Sequence, residues 1–352
     1  MVLSLSQRAI IERARALGSG EQAVALTDEM CAYLVAVIAD DLALMDKFPE
    51  FKGKVTPFFT TTPLRDLQIK GVNFTALYER LLGLNKDADT YFVCLVALHK
   101  GRLKYETILR TQPMPTVEQV GPRGLLQFGA LSPNALTSFL FWRKWFYDID
   151  NRAAQETGYI FEPIIANAIG GTPAPSTKSP VKRVSDNQKG RQVDCIREKK
   201  AYELKLRVTI AASGQGRWKE ELDFPIDCNA SGFTPVLVVL DSTPNDKLTQ
   251  LEKAFKTQGG EVYIGETAWQ HLEQVAGPTM AEFLDKYVRD PLKQLLSEVP
   301  AKLPKLAAEM EGQNIKISVG NESMTIKRTP RADAASEDDK MPEDAADQLP
   351  DT

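Results

Sequence analysis

The sequence predicts an α/β (α+β) fold, with a mainly helical N-terminal region followed by a mixed sheet flanked by helices. Three observations favour this class. Residues 1–150 carry apolar side chains at helical spacing, whereas residues 201–211 alternate apolar and polar side chains as a half-buried strand does. The run PVLVVL at residues 235–240 is typical of a buried strand, and an amphipathic helical pattern follows it at residues 246–258. We therefore place the helical region at 1–150 and the sheet within 151–300.

Apolar periodicity and helix start signals divide the N-terminal region into helices. The predicted helices cover residues 4–17, 21–48, 62–82 and 91–99, and a further one starts at Ser132-Pro133. Thr62 is expected to cap the third helix, with Pro63 at its first position. Residues 91–99 also suit a strand, but we favour a helix. The last helix bears six aromatic side chains: Phe139, Phe141, Trp142, Trp145, Phe146 and Tyr147. We interpret them as a packing seam between domains, with a base-stacking platform as the alternative.

The pattern changes near residue 152 to alternating helices and strands. Residues 158–171 resemble a helix ended by two glycines, in which Pro163 marks a kink or the first turn. A loop rich in Pro, Ser and Lys at 172–190 precedes a predicted hairpin with strands at 191–196 and 201–211. The remaining predicted elements are a glycine-flanked loop at 213–218, helices near 218–228, 246–258 and 266–298, strands at 235–240 and 261–265, and a terminal hairpin at 314–319 and 324–328 within residues 301–330.

Composition places the chain among ordinary globular proteins. It has 352 residues, of which 43% are hydrophobic and 26% charged, which suggests two domains or one large one. No apolar run is long enough to span a bilayer, and the N-terminus lacks a secretory pattern, so a cytoplasmic location is expected. The four cysteines form no CxxC pair, which disfavours a zinc site and predicts buried thiols. We expect structural roles for His99 and His271.

Charge is unevenly distributed along the chain. The net charge of −4 divides into −6 for residues 331–352 and +2 for residues 1–330. The C-terminal tail lacks aromatic residues and periodicity, so we expect an acidic disordered segment. Residues 178–219 carry twelve Lys or Arg and only four acids, a local net charge of +8. Such clustering is typical of a surface that binds a polyanion.

Two carboxylates and a lysine lie on the two predicted hairpin strands within this basic region. A hairpin with its turn in the charged run 197–200 places Asp194 beside Glu203, with Lys205 on the same face two residues further on. Carboxylates bind hard divalent cations, and a bound cation with a nearby ammonium fits metal-dependent phosphodiester hydrolysis. The spacing alone also fits a solvated strand face without catalysis. The continuous apolar face and the basic surroundings favour the catalytic interpretation.

The order helix, hairpin with Asp and Glu-x-Lys, helix and strand resembles the PD-(D/E)xK nuclease superfamily over residues 152–265. The segments Gly190–Asp194 and Ala201–Trp218 are similar in particular to the ApaLI-like type II restriction endonucleases. Val193 stands where the motif name places proline. The resemblance implies a PD-(D/E)xK nuclease core, a mixed sheet flanked by helices, that makes Mg²⁺-dependent double-strand cuts at a short palindromic DNA site similar to GTGCAC. The cuts would leave 5′-phosphate and 3′-hydroxyl ends.

Carried onto this sequence, the resemblance implies that Asp194 and Glu203 bind Mg²⁺ together with the carbonyl of Leu204. It implies that Lys205 positions or activates the attacking water. Glu162 on the preceding helix resembles the acid that completes such sites, with an exposed helix carboxylate as the alternative. A structure-specific repair nuclease and a non-catalytic DNA-binding protein stay open as alternative functions.

Contacts with double-stranded DNA are expected from the basic region. Arginine and glutamine can each form paired hydrogen bonds with a base edge, so the loop bearing Ser213, Gln215, Arg217 and Lys219 is predicted to enter a groove or grip a backbone. The remaining DNA-binding candidates, mainly for phosphate, are Lys178, Lys182, Arg183, Lys189, Arg191 and Arg207. A palindromic target implies a homodimer, for which the helical region is a candidate surface, and the system implies a cognate DNA methyltransferase.

Overall fold

A mixed α/β architecture is confirmed by the computed structural model, which describes residues 3–18, 22–206, 215–298 and 302–329, with the backbone alone at 215–217. The helices are α1 (Leu5–Arg15), α2 (Asp28–Asp41), α3 (Phe74–Leu84), α4 (Ala88–Thr111), α5 (Val117–Val120), α6 (Pro133–Ala168), α7 (Gln215–Ala230), α8 (Asp246–Thr257), α9 (Glu266–Leu284) and α10 (Asp290–Ser297). The strands are β1 (Thr172–Ala174), β2 (Lys182–Arg183), β3 (Asp186–Gly190), β4 (Val193–Arg197), β5 (Lys200–Lys205), β6 (Thr234–Val239), β7 (Glu261–Ile264), β8 (Leu306–Glu311), β9 (Asn314–Val319) and β10 (Glu322–Ile326). Short 3₁₀-helices lie at Met45–Lys47, Pro49–Phe51, Leu64–Asp66 and Gly121–Gln127, and a π-helix lies at Asp285–Arg289.

The main sheet has five strands in the order β1-β4-β5-β6-β7. The first two pairings, β1 with β4 and β4 with β5, are antiparallel, whereas β5–β6 and β6–β7 are parallel. β6 is apolar on both faces because it is covered on both, and its residues from Pro235 onward are all buried. On one face, Leu237 and Val239 pack with Phe224 of α7 and Phe255 of α8.

The chain divides into two compact units. Within the described residues, one unit comprises 3–100 and 158–294, and the other comprises 101–157 and 295–329. Residues 3–100 thus belong to the same unit as the five-stranded sheet. The domain boundaries at 150, 300 and 330 stay a prediction, and the acidic tail at 331–352 lies outside the described residues.

Buried polar contacts organise the helical part of the first unit. α2 is buried around most of its circumference, from Met30 to Ala39, so it is a core helix. At its end Asp41 accepts hydrogen bonds from Tyr91 (2.8 Å), Tyr287 (2.5 Å) and Lys286 (2.9 Å). These donors come from α4 and from the π-helix, so one carboxylate ties three elements together.

The second unit packs part of the aromatic run of α6 in its core, whereas Phe139 and Tyr147 are exposed. Trp145 is fully buried against Ile315 and Ile326 of the C-terminal sheet, with Trp142 and Phe146 packed around it. These side chains form a packing seam within one unit, between a helix and a sheet. That sheet has three strands, in the order β10-β9-β8, and the terminal hairpin predicted from the sequence is its β9–β10 part. β8 is an addition that the sequence pattern does not indicate.

Several predicted boundaries differ from the structure. The helix expected from Pro63 is only a 3₁₀ turn, and α3 starts at Phe74 under a cap from Asn73, whose side chain accepts from Ala76 N at 3.1 Å. Residues 91–99 are helical within α4, and Pro163 lies inside α6 without ending it. The loop at 172–190 contains three short strands. Gly277, with φ of 74°, kinks α9 just before Pro278.

Buried thiols and imidazoles occupy core positions. All four cysteines are free and buried, as expected. His99 is buried, and His271 stacks on Tyr263 at a centroid distance of 3.9 Å and on Tyr202 at 5.9 Å. Burial lowers the pKa of His271 and outweighs the opposite effect of Glu261. Among the described residues, no helix has the length and apolar character needed to cross a bilayer.

Candidate active site

The β4–β5 hairpin brings the predicted acids together. Cys195 pairs with Tyr202 and Ile196 with Ala201, so the same register carried one residue further places Asp194 opposite Glu203. Asp194 Oδ2 accepts a hydrogen bond from Leu204 N at 2.8 Å, which fixes the carboxylate against the neighbouring strand. The alternation of β5 buries Tyr202 and Leu204 on one face and leaves Glu203 and Lys205 half-buried on the other.

Lys205 lies between two carboxylates. Its ammonium donates to Glu203 Oε1 at 2.8 Å and lies 3.7 Å from Glu221 Oε1. Burial alone would lower the pKa of Lys205, but Glu203, Glu221 and Asp194 outweigh it and hold the pKa above its ordinary value. The side chains of Glu203, Lys205 and Glu221 are 16%, 18% and 21% exposed, so the cluster remains open to solvent. The raised pKa keeps the lysine protonated, so it is a cationic donor beside two carboxylates.

Glu221 on α7 was missed by the sequence interpretation. It enters the site because α7 follows β5 in the chain and packs back against the sheet, where Phe224 joins the core. The available signal was the acidic pair at 220–221, which begins two residues after the segment used to identify the motif. A helix register that buries Trp218, Leu222 and Phe224 brings one of these acids near the sheet.

Asp194 is half-buried beside two further carboxylates. Burial raises its pKa first, and the nearby carboxylates of Glu203 and Glu162 raise it further, so its pKa lies well above the ordinary value. Glu162 therefore acts electrostatically on the same site from α6. Its Oε1 approaches the backbone one turn earlier, 3.2 Å from where a Cβ on Gly158 would lie. Pro163 leaves the helix intact and does not carry Glu162 away.

The donor set matches a hard divalent cation. Carboxylate oxygens of Asp194, Glu203 and Glu162 are the ligand type that Mg²⁺ prefers, and a cation would relieve the repulsion that raises the pKa of Asp194. Among the described residues, no three His, Cys, Asp or Glu side chains are already gathered in metal-binding geometry. The Leu204 carbonyl belongs to the same strand segment, and its role as a ligand stays a prediction.

The basic hairpin β2–β3 carries several predicted phosphate contacts. Lys182, Lys189 and the preceding Lys178 are exposed, and Lys189 is 3.5 Å from Asp186 of its own hairpin. Arg183 instead forms an ion pair with Glu220 at 2.7 Å. Two backbone anchors fix the hairpin on α7 and its end, since Val184 N donates to Asp227 (2.7 Å) and Lys182 N to Ser231 (2.9 Å). The hairpin thus presents lysines on a rigid support.

Arg191 requires a correction, because DNA contact by this residue does not fit its position. Its guanidinium lies in the interior, where Nε donates to Asp227 Oδ2 at 2.6 Å and a terminal nitrogen makes a second contact with the same carboxylate. The other terminal nitrogen donates to the Glu220 carbonyl at 3.0 Å. The side chains of Arg191 and Asp227 are only 8% and 3% exposed. This arginine joins the segment between β3 and β4 to α7.

The loop predicted at 213–218 is helical from Gln215 onward, because α7 begins there. Lys219 is exposed on the first turns of α7. Ser213 and Arg207 lie outside the described residues, and for Gln215 and Arg217 the backbone alone is described. The DNA contacts of these four residues stay predictions.

Comparison with known proteins gives two matches of large extent. Residues 63–289 match the family model described as ApaLI-like restriction endonuclease. The chain is also 44% identical over 327 residues to the Type II restriction enzyme ApaLI of Acetobacter pasteurianus, an alignment that covers 84% of this chain and 86% of that protein. No solved structure matches.

Proposed function

Since this chain belongs to the ApaLI-like restriction endonuclease family, we propose that it is a type II enzyme that cuts DNA with Mg²⁺ held by Asp194 and Glu203. The observation that carries this assignment is the hairpin register, which gathers two carboxylates and the Lys205 ammonium on one partly open face. The arrangement corresponds to a PD-(D/E)xK site. It supplies oxygen ligands for a cation and a cationic donor for a phosphate or water oxygen.

Each side chain has a distinct role in the proposed reaction. A bound divalent cation supplies stabilisation of phosphate charge and lowers the pKa of a coordinated water. Asp194 and Glu203, with Glu162 and the Leu204 carbonyl nearby, hold that cation. Lys205 stays protonated because its pKa is raised, so it orients the attacking water and neutralises charge on the phosphodiester instead of removing a proton.

DNA is held by groups on both sides of the catalytic hairpin. Lys182 and Lys189 bind phosphates through the rigid β2–β3 hairpin, since exposed lysines there can replace condensed counterions. Gln215 and Arg217 at the start of α7 read bases or grip the backbone. A palindromic, GTGCAC-like site would be cut in both strands by a homodimer with one site in each subunit. A cognate methyltransferase would protect the same sequence in the cytoplasm of the host.

Digestion of a plasmid of known sequence tests the function. We expect discrete fragments with Mg²⁺, a single recognition sequence at all mapped ends, 5′-phosphate termini, and no cutting in EDTA. Fragments of every length, or cutting confined to flaps and single-stranded branches, would contradict the restriction activity and support a structure-specific nuclease. DNA binding without any Mg²⁺-dependent cleavage would support the non-catalytic alternative.

A further inference from the structure

An apolar tip projects from the second unit between α5 and α6. The 3₁₀-helix Gly121–Gln127 and the turn after it expose Leu125, Leu126 and Phe128 by 77%, 94% and 75% of their surfaces. We call residues 125–128 the apolar tip. Three large apolar side chains in four residues, all turned to solvent, are typical of a surface that another molecule covers.

The base of the tip is rigid. Gly124 is buried beside Leu140 and Leu136, and a Cβ at residue 124 would lie 3.1 Å from Leu140 Cδ1. Leu136 and Leu140 also pack with Val120 to form a buried cluster under the segment. Beyond the tip, Ala130 N donates to Gln127 O at 3.1 Å. The fold therefore holds these apolar side chains outwards instead of letting them collapse inwards.

A cationic cavity adjoins the segment that carries the tip. Its volume is about 340 Å³, and it is lined by Val120, Arg123, Leu140, Arg143, Lys144 and Tyr147. Lys144 pairs with Asp148, whereas Arg143 donates to Gln127 at 3.4 Å and lies over the Phe139 ring at 5.5 Å. Within the described ranges, neither Arg123 nor Arg143 forms an ion pair. The two arginines leave the cavity with positive charge that is not paired with a described carboxylate, so the cavity suits an anion.

The positive charges of Arg123 and Arg143 favour DNA, and not a second copy of this chain, as the molecule that covers the apolar tip. In a two-fold dimer through this surface, the apolar tip and the adjoining cavity would face their own copies. Arg123 and Arg143 would then approach the same arginines of the other subunit, and like charges repel. A DNA duplex supplies phosphates for both arginines and base steps between which apolar side chains can insert. We propose that the apolar tip inserts into bound DNA while Arg123 and Arg143 contact the adjacent phosphates. This inference rests on the proposed function, because it requires a chain that binds double-stranded DNA.

Fluorescence of 2-aminopurine tests the insertion. The probe is a duplex containing the mapped cleavage site, with 2-aminopurine replacing one adenine at a time, in Ca²⁺ instead of Mg²⁺ so that the strands stay intact. The wild-type chain should raise fluorescence at one step, because unstacking relieves quenching. L125S/L126S should lose that increase and bind roughly 10-fold or more weakly. Leu5→Ser is the matched control, since Leu5 is 86% exposed on α1, and it should behave as wild type.

Two further measurements separate the alternatives. Arg143→Gln should reduce the slope of log affinity against log salt by about one, as expected for one lost phosphate contact. Wild-type fluorescence in L125S/L126S together with a wild-type salt slope in Arg143→Gln would overturn the proposal. Loss of self-association of L125S/L126S in sedimentation, with DNA binding intact, would also overturn it and would assign the tip to a dimer interface. If the wild-type chain cut no plasmid site yet raised fluorescence on a mixed-sequence duplex, the restriction function would fail while the insertion stood.

Discussion

Replacing Arg191 by methionine tests whether this arginine is structural, as its burial indicates, or a DNA contact. Methionine keeps most of the aliphatic length and removes the guanidinium. The change deletes the bonds to Asp227 and to the Glu220 carbonyl, and it leaves the Asp227 carboxylate buried with the Val184 amide as a remaining donor. Breaking a buried ion pair by removing one partner costs about 3–5 kcal/mol. That is a large fraction of the roughly 5–15 kcal/mol that stabilises a folded protein.

Thermal and urea unfolding followed by circular dichroism measure this cost. For a unit of this size, each kcal/mol moves the melting temperature by roughly 2–4 °C, so Arg191→Met should melt roughly 6–20 °C below wild type. The double variant R191M/D227N should recover part of the loss, because the two residues interact directly. Lys189→Met is the control, since its exposed side chain should change stability by less than about 0.5 kcal/mol and reduce the salt slope of DNA binding by about one. Wild-type stability in Arg191→Met together with a reduced salt slope would show that Arg191 is a DNA contact and not a structural residue.

Three other predictions concern the active site and the histidine behind the sheet. Asp194→Asn should stabilise the metal-free protein by about 0.5–2 kcal/mol in urea unfolding, because it removes one of three mutually repelling carboxylates; equal or lower stability would contradict this. Glu221→Gln should slow single-turnover cleavage roughly tenfold and leave DNA affinity unchanged, because Lys205 loses one of its two carboxylate neighbours. Glu220→Gln, at the exposed neighbouring position, should cut at the wild-type rate. The pKa of His271 is lowered in the folded state, so the unfolded state takes up a proton first and stability is lost as the pH falls below 6.5. In urea unfolding, His271→Gln should therefore lose less stability than wild type between pH 7.5 and 5.5. An equal loss in both would contradict the role of its burial.

The catalytic hairpin could be predicted because its signals are local. Side chains alternate along β5, and a short charged turn sets the register, so the position of Asp194 beside Glu203 follows from neighbouring residues. The buried strand β6 and helix α8 are likewise read from short apolar patterns with clear ends. In each case one segment contains the information that places it.

The sequence-based predictions are wrong where residues distant in the sequence determine the contacts of a side chain. The basic region from 178 to 219 has a net charge of +8 as a sequence, but Asp227 and Glu220 from α7 and Glu261 from β7 neutralise Arg191, Arg183 and Lys200 in the fold. A count within a window cannot include acids that folding brings from outside it.

Helix propensity is also a misleading signal at residues 306–311. The segment Leu306–Glu311 (LAAEME) is rich in helix-forming residues, yet it is strand β8 because β9 pairs with it along its whole length. Glu221 was missed because its proximity to Lys205 depends on how α7 packs on the sheet. Both are tertiary effects that no short segment encodes.

Single-turnover cleavage by Glu203→Gln and Lys205→Met at the mapped site measures whether the β4–β5 hairpin is the catalytic centre. Glu252→Gln and Lys253→Met, on the outer surface of α8, serve as matched controls. We expect each active-site variant to lose roughly 10²–10³-fold in rate or more while binding the duplex in Ca²⁺ with wild-type affinity, and both controls to cut normally. Cleavage by either active-site variant at the wild-type rate would contradict the assignment of the β4–β5 hairpin as the catalytic centre.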